Sequence, residues 1–437
     1  MQAFVENCLI KFSQENYSMK RRLIVSAVLL SCCWPPQAQA HELPEKAAPL
    51  EQSEQCAGCH ATIYQEWQES FHALSSVHKD SAHKAVHQAF VKAMKAQGKQ
   101  GNYHCGSCHA PMSDNLAELV AGQAEPDSGN WTQAEGVGCT FCHRIEAVVE
   151  QKPFSHYRLN QDGAFHTSRP ANPEALHKTA QSPLFGDGQV CMGCHSHLFN
   201  GKNVAACDMS EEGQSNCITC HMPEVPGGAV LLFASRDTHL SHKMAGGHDL
   251  EMLQKAVSVE AKIQSEGKQR AVVITVKNII EHSFPSTNPM RMAFVKVTAK
   301  DKTGKALWSN FKDSPLEDKN ALFFKAFKAG EQTGVPTWAA ETVAFDTRLK
   351  AGETRSLTYP LDDPAITEVE VALLYRLFPP AAIDGFAIPK DGVNDKAQPV
   401  FKKTLTIGKR GNSGECWKKV SKTLTFDYYI KSDSCGE

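Results

Sequence analysis

Between Cys56 and His221 the chain spells C-x-x-C-H five times: CAGCH ending at His60, CGSCH at His109, CTFCH at His143, CMGCH at His195 and CITCH at His221. Two thiols three residues apart lie on one turn of backbone and can bond both vinyl groups of a single haem, and the adjoining histidine then meets the iron. Each motif therefore predicts one covalent haem, for five haem c groups in all. Attachment falls to Cys56 and Cys59, Cys105 and Cys108, Cys139 and Cys142, Cys191 and Cys194, and Cys217 and Cys220, with His60, His109, His143, His195 and His221 as proximal iron ligands. A single CxxC pair also reads as a zinc knuckle or a redox dithiol. Five copies argue against that, because zinc would need the pairs combined in fours and gives no reason for a histidine after every second cysteine.

This pattern limits what the chain can fold into. Residues 50–247 are rich in histidine, punctuated by glycine and poor in long amphipathic patterns, with short helices expected at 61–75, 82–95 and 113–121. So little apolar periodicity cannot build an ordinary core, and five haems would supply the buried apolar mass. Near Leu250 the texture changes to alternating apolar and polar residues, in runs at 257–263, 271–276, 293–298, 355–359 and 368–375 separated by turn residues. Such short period-two runs read as an antiparallel β-sandwich, immunoglobulin-like in size. The expected fold is thus α+β and multidomain: a signal segment at 1–40, a mostly α or irregular pentahaem cytochrome domain at 41–249, a sandwich at 250–408 and a flexible tail at 409–437 opening on RGNSGE. The motifs are unequally spaced and their flanks differ, so they repeat a chemical unit and not a solenoid.

Cysteine chemistry of this kind belongs outside the cytoplasm. Met19 begins a secretory pattern: Lys20, Arg21 and Arg22, an apolar run from Leu23 to Leu30, and Ala38-Gln39-Ala40 as the cleavage site. The mature chain is expected to start at His41 in a bacterial periplasm, with residues 1–18 an over-long start. A rival reading makes Leu29-Leu30-Ser31-Cys32 a lipoprotein site with Cys32 acylated. The apolar run is too short to span a membrane. A formal charge of -2 without a basic patch gives no pointer to nucleic acid. The motifs use ten of the sixteen cysteines; Cys8, Cys32 and Cys33 precede the cleavage site, Cys416 and Cys435 could close a disulfide, and Cys207 is left odd.

Each iron has a second axial position, and its occupant decides the chemistry. A second histidine or a methionine saturates the metal for electron transfer, whereas an empty position admits small molecules. Fourteen of the nineteen histidines lie outside the motifs. YQEWQESFH at 64–72 resembles the W-x-x-S-x-H signature of the multihaem cytochrome c-554/c-prime family, and HKTAQSPLF at 177–185 and CITCHMP ending at Pro223 resemble other parts of it. The resemblance covers residues 50–247 and implies His72 and His177 as distal ligands, each serving a haem other than its sequence neighbour. SHKMAGGH at 241–248 resembles a segment of related pentahaem proteins with a β-domain, which implies His242 as a ligand and His248 as a weaker candidate. Gly246 and Gly247 would let the backbone approach a flat macrocycle. NIIEHSFPSTNPMR at 278–291 resembles a loop of such β-domains, where His282 is either a ligand reaching back to the haems or a satisfied loop histidine. One of His78, His83 and His87 could ligate a neighbouring haem. Met112, Met192, Met222 and Met244 are competing ligands that more often pack against a haem edge.

Three functions follow. The leading one is an electron carrier passing electrons through mostly bis-histidine haems between redox proteins, either other cytochromes or a membrane quinol-linked complex. The second is a haem c oxidoreductase with one open iron acting on a small nitrogen or sulfur compound. It is kept in view because tetrahaem members of the family carry an open iron, and weakened because this chain has a fifth motif and a β-domain. The third makes the sandwich a docking module for a membrane complex, by analogy with other sandwiches.

Overall fold

The first motif runs directly into a helix, α1 (Ala61–Gln68), with His60 as its N-terminal flank. Trp67 is buried, and its indole N–H donates to the Val137 carbonyl at 2.8 Å. The helix stops short of residue 75 because its continuation is claimed elsewhere. The His72 carbonyl accepts from the Val137 N–H at 2.9 Å, and the Ser75 hydroxyl reaches the carbonyls of His72 and His109. The next helix, α2 (Ser81–Ala96), is capped by Asp80, whose carboxylate accepts from the N–H groups of Ala82 and His83. Its buried stripe is Ala82, His83, Ala85, His87 and Phe90, the spacing of one helix face.

This computed structural model describes residues 49–407 except 153–154, 197, 208, 210–215, 231–235, 267–268 and 287–288, together with the backbone of two strands at 417–423 and 426–431. The export segment, Cys32, Cys416 and Cys435 lie outside the described residues. Among the described residues no helix is long and apolar enough to cross a membrane. Four of the motifs fold as single helical turns, at Gly106–His109, Cys139–His143, Met192–His195 and Cys217–His221. Short pairings join them, such as Ile145–Val149 with His156–Leu159 and Glu224–Pro226 with Thr238–Leu240. At Gly193 inside CMGCH a side chain would run into the Tyr157 ring, so this motif needs its glycine for packing.

From α3 (Leu250–Ala256) onward the chain is mainly sheet. Strands β1 (Val257–Glu266), β2 (Gln269–Asn278), β3 (Met292–Lys300), β4 (Ala306–Ser309) and β5 (Leu322–Phe323) come first. They are followed by β6 (Lys325–Ala329), β7 (Gln332–Thr333), β8 (Thr342–Asp346), β9 (Thr354–Pro360) and β10 (Glu368–Arg376), then α4 (Pro380–Phe386) and β11 (Gln398–Thr406). Three antiparallel sheets result, in the orders β9-β2-β1, β4-β3-β10-β11 with β5 also on β3, and β7-β6-β8. Period-two burial explains the first two: Val272, Ile274 and Val276 of β2, and Val295 and Val297 of β3 with Val369, Val371 and Leu373 of β10, all enter one core. That core also takes Ala82 and Ala85 of α2, so both halves of the chain bury apolar surface together.

The shared core supports a mixed fold with antiparallel sheets in the C-terminal half. The immunoglobulin likeness expected from size is not carried further by the strand order. Within the stretch 409–437, Trp417–Thr423 pairs antiparallel with Phe426–Lys431. Its sequence KKVSKT…FDYYIK has the strand-forming residues for such a pairing.

Candidate haem-binding site

Behind the motifs lies one cavity of about 3330 Å³, walled by all five motif histidines. Pockets for ordinary small ligands run about 300–1,000 Å³, so this space suits several large groups at once. His72, His177, His242 and His282 also line it, as do Trp338 and Phe386 from the sheet half.

The histidines on its walls are paired. His60 faces His177 with ring centres 6.1 Å apart, His195 faces His72 at 6.1 Å, His143 faces His242 at 6.1 Å, and His221 faces His282 at 6.4 Å. Metal–imidazole bonds are about 2 Å long and the nitrogen sits roughly 1.1 Å from its own ring centre, so two imidazoles trans across one iron have centres about 6.2 Å apart. Four motifs therefore have the spacing of a bis-histidine iron. The partners cross in sequence: His72, just after the first motif, meets the fourth, and His177, just before the fourth, meets the first.

In six of these histidines the other ring nitrogen is anchored. Nδ1–H donates to a backbone carbonyl in His60 (Ala229, 2.7 Å), His109 (Ser75, 3.1 Å), His143 (His166, 2.8 Å) and His221 (Ala245, 2.6 Å). Among the distal set, His242 donates to Leu240 at 2.8 Å and His282 to Ser283 at 3.0 Å. This is the usual support for a metal-binding imidazole, since it fixes the tautomer and leaves Nε2 for the metal. Burial, aided by neighbouring histidines, lowers the pKa of His72 and His242 to about 4 and that of His109 to about 3. A neutral imidazole is the form a metal binds. The residues fit haem.

The second motif differs. Its nearest imidazole, His83, lies 4.2 Å from His109 between ring centres, too close for an iron between them. Both rings also point Nδ1 at the same Ser75 carbonyl, at 2.8 and 3.1 Å, which two ligands on opposite faces of a haem cannot do. His83 and its neighbour His104 instead sit against Cys105, and His87 packs edge-on against Tyr103.

The motifs touch one another in a definite order. Cys139 N–H donates to Ser53 Oγ at 3.0 Å and the thiols of Cys56 and Cys139 lie within hydrogen-bonding reach, joining motifs one and three. Phe141, Cys142, Val190, Cys191 and Cys194 share an apolar cluster, joining three and four. The Asn216 amide donates to the Gly186 carbonyl at 3.2 Å beside the Cys191–Cys217 contact, joining four and five, and Cys108 meets Cys194, joining two and four.

Other histidines have different occupations. His248, the weaker candidate, stacks on Phe71 at 3.4 Å and approaches Arg291. His166 is held by Ile145 and Asn160. Gly246 faces open space along the cavity, whereas Gly247 is packed against the Tyr375 hydroxyl, so only one of the two glycines leaves room beside a macrocycle. Sequence reasoning missed Glu66, which accepts from the His242 backbone N–H, and His239, which meets the same carboxylate. A histidine three residues before a ligand and an acid on the preceding helix carry no motif.

Asn278 explains how the sheet half presents His282. It is fully buried, and its amide donates to the carbonyls of His282 (2.7 Å), Leu349 (3.1 Å) and Lys350 (2.9 Å). Asn278→Ala strands those acceptors and should cost about 1–3 kcal/mol. Urea denaturation followed by the sheet-half signal should show a lower midpoint at unchanged slope, and an unmoved midpoint would remove this role.

Residues 55–144 match the cytochrome c554 and c-prime family model. A solved structure, that of a penta-haem cytochrome c552 from Thermochromatium tepidum, matches with a TM-score of 0.68 and 24% identity, over 82% of this chain and 99% of that one. No curated protein matches the sequence. Five attachment motifs thus surround one cavity, residues 55–144 carry the likeness to the cytochrome c554 and c-prime family across the first three of them, and the fold is shared with a penta-haem cytochrome over most of the chain.

Proposed function

We propose that the protein is an exported, periplasmic cytochrome carrying five covalent haems, which passes electrons through mostly bis-histidine irons between redox partners. The observation that carries this is the set of four imidazole pairs at 6.1–6.4 Å. A haem iron held by two imidazoles cycles between ferric and ferrous without a vacant position. The chain's part is to keep both ligands aimed, and to press neighbouring attachment turns together. Numbering haems by motif, the contacts run one to three to four, with two and five both meeting four. His177 and Leu176 lie on an exposed loop, Leu176 being 85% exposed, which makes haem one the natural entry or exit for a soluble cytochrome or a membrane quinol-linked complex. An acylated Cys32 would tether the same device to a membrane.

The test is an optical redox titration of the loaded protein. Methionine ligation raises the potential relative to histidine, so His177→Met should move one haem component upward and leave the rest in place. An unaltered titration would remove His177 from the iron.

A second reading is favoured by one observation, the placement of His83 4.2 Å from His109 with both rings on the same Ser75 carbonyl, which takes His83 out of the axial set. Haem two would then be the open iron of an oxidoreductase acting on a small nitrogen or sulfur compound, with the other four feeding it through haem four.

A further inference from the structure

One carboxylate is placed where it can control a ligand it does not precede or follow in sequence. Glu66 lies on α1, directly after the first motif and six residues before His72. Its Oε2 accepts from the His242 backbone N–H at 2.8 Å and faces His239 Nε2 at 3.2 Å. His239 is buried in the strand Thr238–Leu240, and its Nδ1 meets the Gly227 carbonyl at 2.8 Å. The side chains of His239 and Glu66 are 2% and 13% exposed, so water competes little for either. The His242 ring is held independently at Nδ1 by Leu240, the residue between His239 and Ser241. One carboxylate oxygen thus grips the segment 239–242 at two points, its histidine side chain and the ligand's own backbone.

From this geometry we infer that Glu66 is a positioning residue for the third haem: it clamps the loop that carries His242 and thereby sets the distance and orientation of that distal ligand over the iron. The inference rests on the reading of His242 as an axial ligand opposite His143. It gives α1 a purpose beyond joining two ligands. The helix begins at the proximal ligand of haem one, leads to the distal ligand of haem four, and through Glu66 fixes the distal ligand of haem three. Displacing Glu66 should disturb haem three selectively, because its contacts go to the segment 239–242 that carries His242.

The experiment is low-temperature EPR and redox titration of the oxidised, fully loaded protein in four forms: wild type, His242→Ala, Glu66→Ala and Glu66→Gln. His242→Ala identifies the low-spin signal of haem three by its loss. In Glu66→Ala that same signal should lose most of its intensity or shift its g-values, with a displaced midpoint potential, while the other low-spin signals stay as in wild type and report an intact fold. Glu66→Gln keeps an oxygen able to accept from the His242 N–H and should recover most of the signal. The inference is overturned if Glu66→Ala leaves the haem-three signal and potential unchanged, or if it disturbs all low-spin signals alike. If His242→Ala removes no low-spin signal, the ligand reading itself fails and the inference falls with it, an outcome distinct from the other two.

Discussion

Made without covalently attached haem, the chain should not hold the fold of residues 50–247, while the sheet half keeps its own. The space between the motifs, about 3330 Å³, is far larger than any void a packed interior leaves, so without haem its apolar lining meets water. The N-terminal half has little to set against this, since its apolar clusters are small ones around Phe141 and Tyr157 and around Tyr103 and Leu119. The sheet half has a continuous core through β2, β3 and β10. Trypsin digestion of protein produced without haem attachment should therefore leave a resistant fragment beginning near residue 250 and degrade what precedes it. Resistance across 50–247 would show that side chains alone fill the space.

The oxidised, loaded protein should give four low-spin irons and one that is not bis-histidine. Spin-counted EPR at low temperature reads this directly. The expectation follows from His109, whose nearest imidazole stands at 4.2 Å and shares the Ser75 carbonyl, against four motifs with a partner at 6.1–6.4 Å. A high-spin signal that changes on adding nitric oxide or hydroxylamine would favour the catalytic reading. Five bis-histidine low-spin signals would exclude it and extend the wire to every haem. The change should be confined to haem two, so His109→Ala serves as the assignment control.

Five strands of the sheet half were legible in the sequence to within a few residues at each end, and the shorter strands between 306 and 346 and the last strand, Gln398–Thr406, were not. The run at 271–276 became Gln269–Asn278 and that at 368–375 became Glu368–Arg376, because alternating burial in a two-sheet core leaves a period that composition cannot hide. The helix read at 82–95 became Ser81–Ala96 for the same kind of reason, an Asp80 cap and a clean buried stripe. Helix α1 came out shorter, since long-range partners of His72 and Ser75 took over its last turn, and no local pattern records such partners. Attachment residues were legible because their spacing is dictated by one small molecule. Ligand pairing was not: His72 and His177 exchange motifs across more than a hundred residues. His83 had the same standing in sequence as its neighbours until its shared acceptor with His109 set it apart from the axial set. Glu66 lay within the recognised string at 64–72 without a role, because its contacts are to a segment some 175 residues later.

His282 gives the molecule an optical gauge of its own assembly. The ring that faces His221 is carried by a loop fastened through Asn278 to β2 and to Leu349, in the half that holds no attachment motif. With His282 as the proposed second ligand of the fifth iron, maturation of that iron would wait until the later half has folded, whenever its haem is attached. Melting that later half should in turn appear as a colour change at haem five, tying the thermal limits of two unlike architectures to one spectroscopic event.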